Sequence, residues 1–254
     1  MSSNRVSEIY RGVIAALSNV VNDMEITEDE LKIAGHFIDR MGQAQLSTNM
    51  LNVAFSMQIV ERGRRGLKGT SPCLEGPYHV PGAPVKEDGV LYEKPPGDNA
   101  IMLEWTGRFL DAETGQPVPG SELDIWHADE NGEYDHDGFH LRGIVKPSGD
   151  GSFSIKTVVP LDYSEHGDDP IGELFDIMGQ GSRRAAHLHV KARAHGYREL
   201  TTQLYVPWSD FIDADYVEGA VADDLVMNME EAGELDGKPF FRTSYDIELQ
   251  KNPT

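Results

Sequence analysis

A mainly β fold, an antiparallel β-sandwich core behind an N-terminal helical segment, is what three features of this 254-residue chain predict. Apolar residues recur at three- and four-residue steps through the first sixty-odd positions, the spacing of one helical face. From about residue 64 that period gives way to short alternating runs bounded by Pro/Gly-rich turns, with no helices between them. Hydrophobic residues make up 39%, enough for one sizeable core with a smaller appendage, so the division falls at 1–63 for the helical segment and 64–254 for the sandwich.

The elements follow in order. Val6, Tyr10, Val13, Leu17, Val20, Val21 and Met24 form one apolar stripe. Thr27 with Glu30 makes a capping box before a second stripe of Leu31, Ala34, Ile38 and Met41. Ser47 caps a third helix through Met50, Leu51, Ala54, Phe55 and Met57, which ends at ERGRRGLKG. Three short amphipathic helices cannot bury their stripes alone, so they pack on the rest of the chain or on a second subunit. SPCLEGPYHVPGAP and PPGDNA read as loops. Strands follow in IMLEWTGRFL, SELDIWHAD, GDGSFSIKTVVP, AAHLHVKARA and RELTTQLYVP, with the turn ETGQPVPG after the first. The tail from about Tyr216 is mixed, with a short helix near Ala220 to Met229.

Twenty-two Lys and Arg against 43 Asp and Glu leave a formal charge of −21, which repels nucleic-acid backbones and anionic membranes. No apolar run reaches the roughly 18 residues of a membrane span, and MSSNRVSEIYRG lacks the apolar stretch of a secretory signal. Cys73 is the only cysteine, so no internal disulfide forms and a cytoplasmic location is expected. Any metal must therefore be held by His, Tyr, Asp or Glu. No G-x-G-x-x-G follows a strand, so neither flavin nor nicotinamide is expected.

In RRAAHLHV an extended backbone sends His187, His189, Lys191 and Arg193 to one side and Leu188, Val190, Ala192 and Ala194 to the other. The imidazoles stand about 6.6 Å apart along the chain, close enough for two ring nitrogens to meet on one ion. An edge strand with a solvated polar face gives the same text. Tyr134, in WHADENGEY, and Tyr163, ending VVPLDY, each lie just beyond a strand. Each is a candidate oxygen ligand or an ordinary packing residue with a satisfied hydroxyl. His127, after Trp126, reads as buried and hydrogen-bonded; His36, His136, His140 and His166 read as surface residues, and HGDD as a solvated loop.

ELDIWHADENGEYD, LRG at Leu141 to Gly143, PLDY, RRAAHLH and LTTQLY, with GPYHVPGAP upstream, resemble in order and spacing the intradiol ring-cleavage dioxygenases of the catechol 1,2-dioxygenase type. The likeness covers residues 65 to 210 closely, and the helical N-terminus more loosely. It implies a β-sandwich core, a helical linker that forms a homodimer, and one non-haem Fe(III) per subunit held by Tyr134, Tyr163, His187 and His189. Ferric iron and phenolate are a hard pair, and a trivalent ion removes the tyrosine proton at neutral pH. The resemblance further implies that a small aromatic diol binds, that Tyr163 leaves and acts as a base, and that O2 then opens the ring to a cis,cis-muconate. Arg184 maps beside the ring, Gln203 to a pocket or supporting position, and Leu74 and Pro77 to an apolar pocket wall. Arg183 is left as the surface member of its pair. Where the family usually carries an Arg-His pair and a Pro before the histidines, this chain has Gln180, Gly181 and Ala185, which alters the expected pocket rim.

Two other readings are open to the same residues. TGQPVPG, GEY and GDGSFSI also resemble transthyretin-like binding modules, which need no metal. A cupin-like site would use His187 and His189 with a carboxylate, but Glu199 lies ten residues after His189.

Overall fold

The capping box of Thr27 and Glu30 forms as written, with both reciprocal hydrogen bonds present. In the computed structural model, which describes residues 2–253, it opens α2 (Glu28–Gln43), between α1 (Ser3–Asp23) and α3 (Ser47–Arg64). The capping role expected of Ser47 is corrected: Leu46 takes that position and Ser47 is the first helical residue. The connection is short, and Leu46 is held by its N–H on the Met41 carbonyl (2.9 Å) and by packing on the core. Arg40 of α2 pairs with Glu173 of α4 (Pro170–Ile177), a helix not anticipated from the sequence. Its start was written there, since Asp169 accepts from the N–H groups of Ile171 and Gly172 and Pro170 stands in the first turn.

The alternating runs become strands β1 (Met102–Asp111), β2 (Glu122–His127), β3 (Arg142–Val145), β4 (Ser152–Val158), β7 (His187–Arg193) and β8 (Leu200–Tyr205). Two short strands, β5 (Tyr163–Ser164) and β6 (Arg183–Arg184), pair with each other. The tail holds β9 (Met229–Leu235), β10 (Lys238–Ser244) and β11 (Ile247–Leu249). The helix expected near Ala220 to Met229 is corrected to one 3-10 turn, Asp223–Leu225, followed by the β9–β10 hairpin. MEEAGEL shows little apolar alternation because most of β9 faces solvent. Its turn is nonetheless legible, since Asp236 and Gly237 both adopt positive φ, the two-residue geometry that Asp-Gly favours.

One sheet runs β3-β2-β7-β8 and is antiparallel throughout. The other runs β11-β1-β10-β9, with β4 on the free edge of β1. Here the wholly antiparallel expectation is corrected: β1 pairs in parallel with β10 over Met102–Thr106 and with β11 over Phe109–Asp111. A long connection separates these strands, so no hairpin dictates their direction. Side chains of both sheets meet in one core, with Trp105, Phe109 and Ile155 from one sheet and Leu123, Ile125, Leu188 and Val190 from the other. Among the described residues no helix is long and apolar enough to cross a membrane.

Candidate functional site

β7 lies between β2 and β8, so the solvated edge strand is excluded and His187 and His189 are buried with the rest of it. His187 Nδ1 donates to the Ala185 carbonyl (2.5 Å), which leaves the Nε2 lone pair facing inward. Nε2 of His187 and Nε2 of His189 approach to 3.1 Å. Cross-strand neighbours fix the second ring: Trp126 stacks on His189 at 4.8 Å and 4° between planes, and Gln203 lies opposite it on β8.

Tyr134 reaches the same point from the loop after β2. Asp129 shapes that loop by accepting from the N–H groups of Asn131 and Glu133. Arg142, buried in the LRG stretch, donates to the Asp135 and Tyr78 carbonyls, and Tyr78 stacks on the Tyr134 ring at 4.2 Å. The Tyr134 hydroxyl thus sits 2.9 Å from His189 Nε2 and 3.4 Å from the Tyr163 hydroxyl. Tyr163 comes in on β5, directly opposite Arg184 of β6. Two phenols and two imidazoles from separate elements therefore converge in a buried cluster.

Arg184, 1% exposed, is clamped by the Asp215 carboxylate through Nε (2.9 and 3.0 Å) and donates through Nη2 to Gln203 Oε1 (2.6 Å). Gln203 in turn donates to the Leu74 carbonyl (2.9 Å), accepts from the Tyr205 hydroxyl (2.7 Å), and holds its amide nitrogen 3.3 Å from His189 Nδ1. Leu74, Pro77 and Arg184 line a cavity of about 430 Å³, whereas Gln203 stands behind Arg184. The four converging side chains lie behind its wall, reached through Glu165, which accepts from the Tyr163 hydroxyl, and through Gly76. Gly76 on its wall has φ +72°, and an added Cβ would stand 3.2 Å from His189 Cε1, so glycine here lets the loop lie against the imidazole. Arg183 pairs with Asp162 at the surface.

Burial governs the protonation states. It drives both imidazoles well below the usual histidine range, helped at His187 by the Arg184 charge and at His189 by His187 and Arg184. It drives the Tyr134 and Tyr163 phenols well above theirs, and at Tyr163 the neighbouring Tyr134 adds to the effect. Burial also opposes the Arg184 charge, but Asp215 and then the Tyr205 phenol hold that guanidinium firmly protonated. With neutral imidazoles and phenols that need a strong cation to ionise, the cluster has the donor chemistry of a hard, highly charged metal ion. Among the described residues no group of three or more His, Cys, Asp or Glu is arranged for a metal, which leaves a cupin-like site without its carboxylate. Glu199 is engaged with Arg193.

A dioxygenase family model matches residues 74–251. The chain belongs to the intradiol dioxygenase family. It is 29% identical over 238 residues to a chlorocatechol 1,2-dioxygenase of Cupriavidus pinatubonensis, covering 91% of each chain. It is 31% identical over 235 residues to a hydroxyquinol 1,2-dioxygenase of a Rhizobium species, covering 85% of this chain and 76% of that one. The crystal structure of a 3-chlorocatechol 1,2-dioxygenase from Rhodococcus opacus superimposes with a TM-score of 0.90 at 28% identity, covering 99% of this chain and 100% of the other. This chain is thus an enzyme, a ring-cleaving oxidoreductase of the intradiol type, and the transthyretin-like module reading is set aside.

The intradiol dioxygenase also places residues at the site that sequence reading passed over. His166, expected at the surface, is 2% exposed; its Nδ1 meets Asp169 at 2.7 Å, so the HGDD loop is only half solvated and the helix cap of α4 carries the histidine inward. Glu165 lies beneath Tyr163, and Asp215 and Tyr216 enter from a loop thirty residues away. Spacing reveals none of these: Glu165 sits two residues after Tyr163 but in the bend past β5, not on a strand face. His127 is buried as expected, between the Ala128 carbonyl and the Thr157 hydroxyl, each at 2.7 Å.

Proposed function

We propose that the chain holds one Fe(III) through Tyr134, Tyr163, His187 and His189 and cleaves a catechol-type ring between its two hydroxylated carbons with O2, giving a cis,cis-muconate. The convergence of two phenols and two imidazoles within hydrogen-bond distance of one another supports this most directly. When bound, ferric iron supplies a template and Lewis acid that draws electron density from the diol and prepares the ring for O2. The chain's own residues do the rest. Tyr163 Oη, at the cavity end of the cluster, takes a hydroxyl proton from the incoming diol. Arg184, itself 1% exposed on the cavity wall, faces the ring and stabilises negative charge that develops there. Gln203 is a positioning residue, joining Arg184 to His189. Leu74 and Pro77 give the flat ring an apolar wall. Diol and one O2 together contain every atom of the product, so no reductant, flavin or nicotinamide enters.

Residues 64–254 are read as the catalytic unit, a sandwich of the two sheets, and 1–63 as the segment through which two chains pair. The apolar stripe of α1 supports the homodimer: Tyr10 is 65% and Met24 73% exposed, and α1 buries none of its residues within the chain.

The test is turnover of catechol by iron-loaded protein under 18O2. Muconate carrying one labelled atom in each carboxyl group is expected. A ring opened beside, instead of between, the hydroxylated carbons, or no O2 uptake with any ring diol, contradicts the reading.

A further inference from the structure

Glu165 has no place in the chemistry above, yet its side chain is 8% exposed and lies on the wall of the same cavity. It follows Tyr163 by two residues, in the bend just past β5, and turns back to the same hydroxyl. Oε1 accepts from the Tyr163 hydroxyl (3.3 Å) and Oε2 from the Tyr216 hydroxyl (2.6 Å). The nearest imidazole nitrogen is His166 Nε2, 3.9 Å away, and among the described residues that nitrogen makes no hydrogen bond. Glu75, the other carboxylate on the wall, is tied to Lys191 Nζ at 2.6 Å; Glu165 has no Lys or Arg within ion-pair reach among the described residues. Val53, Leu74, Pro77 and Val217 make part of the wall apolar, and Asn49, Asn52, Ser56 and Arg184 place polar groups elsewhere on it.

A carboxylate offers about four acceptor positions; the Tyr216 hydroxyl fills one, and the Tyr163 hydroxyl fills a second only until a bound ferric ion takes its proton. The corner at Glu165 is therefore acceptor-rich, while the donors of Arg184, Asn49, Asn52 and Ser56 sit elsewhere on the wall. On the ring-cleavage reading above, we propose that Glu165 is a specificity-determining residue that selects ring diols carrying a further hydrogen-bond donor, such as a third hydroxyl. A chlorine or alkyl group placed there strips water from the carboxylate and returns nothing. A ring carboxylate meets like charge. The geometry thus favours trihydroxylated over chlorinated and carboxylated diols, a choice that likeness of fold does not make, since a chlorocatechol and a hydroxyquinol enzyme match at TM-scores of 0.90 and 0.89.

Iron-loaded wild type, Glu165→Leu and Glu165→Gln are compared by kcat/KM on hydroxyquinol, 4-chlorocatechol and 3,4-dihydroxybenzoate, and by dissociation constants for the same diols without O2. Wild type is expected to favour hydroxyquinol over 4-chlorocatechol by about tenfold or more. Glu165→Leu is expected to remove most of that ratio, chiefly through KM and the dissociation constants. Glu165→Gln, which keeps an acceptor and loses the charge, is expected to retain the preference and to admit 3,4-dihydroxybenzoate. Equal wild-type use of hydroxyquinol and 4-chlorocatechol, or a ratio unmoved by Glu165→Leu, overturns the assignment while leaving ring cleavage intact. Failure of wild type to cleave any diol overturns both.

Discussion

Arg184 is a full charge in a dry site, and Asp215 is what keeps it there. Their side chains are 1% and 3% exposed, and the same carboxylate also accepts from the N–H groups of Ala185 and Val217. Asp215→Ala leaves the guanidinium uncompensated, and a stability loss of about 3 to 5 kcal/mol is expected in urea unfolding. A loss below about 1 kcal/mol would show that Gln203 and the Tyr205 hydroxyl suffice to hold it. The arginine was legible in the sequence because it precedes the histidine pair at a fixed spacing. Its partner was not, because the contact joins β6 to a loop 31 residues on, and one aspartate among 43 acidic residues carries no local signal. Glu165 and His166 were hidden for a related reason. Their polar text describes a surface loop, and only the pairing of β5 with β6 turns them inward.

The strands that carry the site also carry a pH dependence. His127, the last residue of β2, is held neutral by burial, its pKa brought down to about 4. The unfolded chain takes up a proton near pH 6.5, so the folded form loses its advantage as pH falls from about 6.5 to about 4. Stability should therefore decline across that window by up to about 1.4 kcal/mol per pH unit from this residue, roughly 3 kcal/mol in all. His127→Asn should show a correspondingly shallower slope in denaturant titrations at pH 4 to 7. Equal slopes in the two proteins would mean that His127 does not contribute. This element was well read, since Glu122, Leu123, Asp124 and Ile125 alternate polar and apolar and the strand lies in mid-sheet, where it is buried on both faces. The tail strands were not. β9 offers the sheet its backbone while leaving most side chains in solvent, so its identity rests on a hairpin turn and not on apolar period.

At the scale of the whole molecule, strand β7, the loop after β2 and the short β5–β6 pair bring four distant side chains to one point, and three helices leave an apolar face over. The first was readable only through the resemblance of the motifs in order and spacing to a known family, since the spacing of His187 and His189 and the place of each tyrosine left a solvated strand and packing residues open. The second was readable as a stripe without a partner. Val13→Asp with Leu17→Asp, both at exposed positions of α1, should turn a dimer into a monomer at micromolar concentration by light scattering, with the folded core intact. A wild-type monomer at that concentration would remove the helical segment's proposed role. The cluster itself is tested most directly by metal content and colour in one preparation. Protein expressed with added iron should hold close to one ferric ion per chain and a visible tyrosinate-to-iron band that weakens in Tyr134→Phe and in Tyr163→Phe and vanishes in the double variant. A colourless wild type without stoichiometric iron would contradict the account.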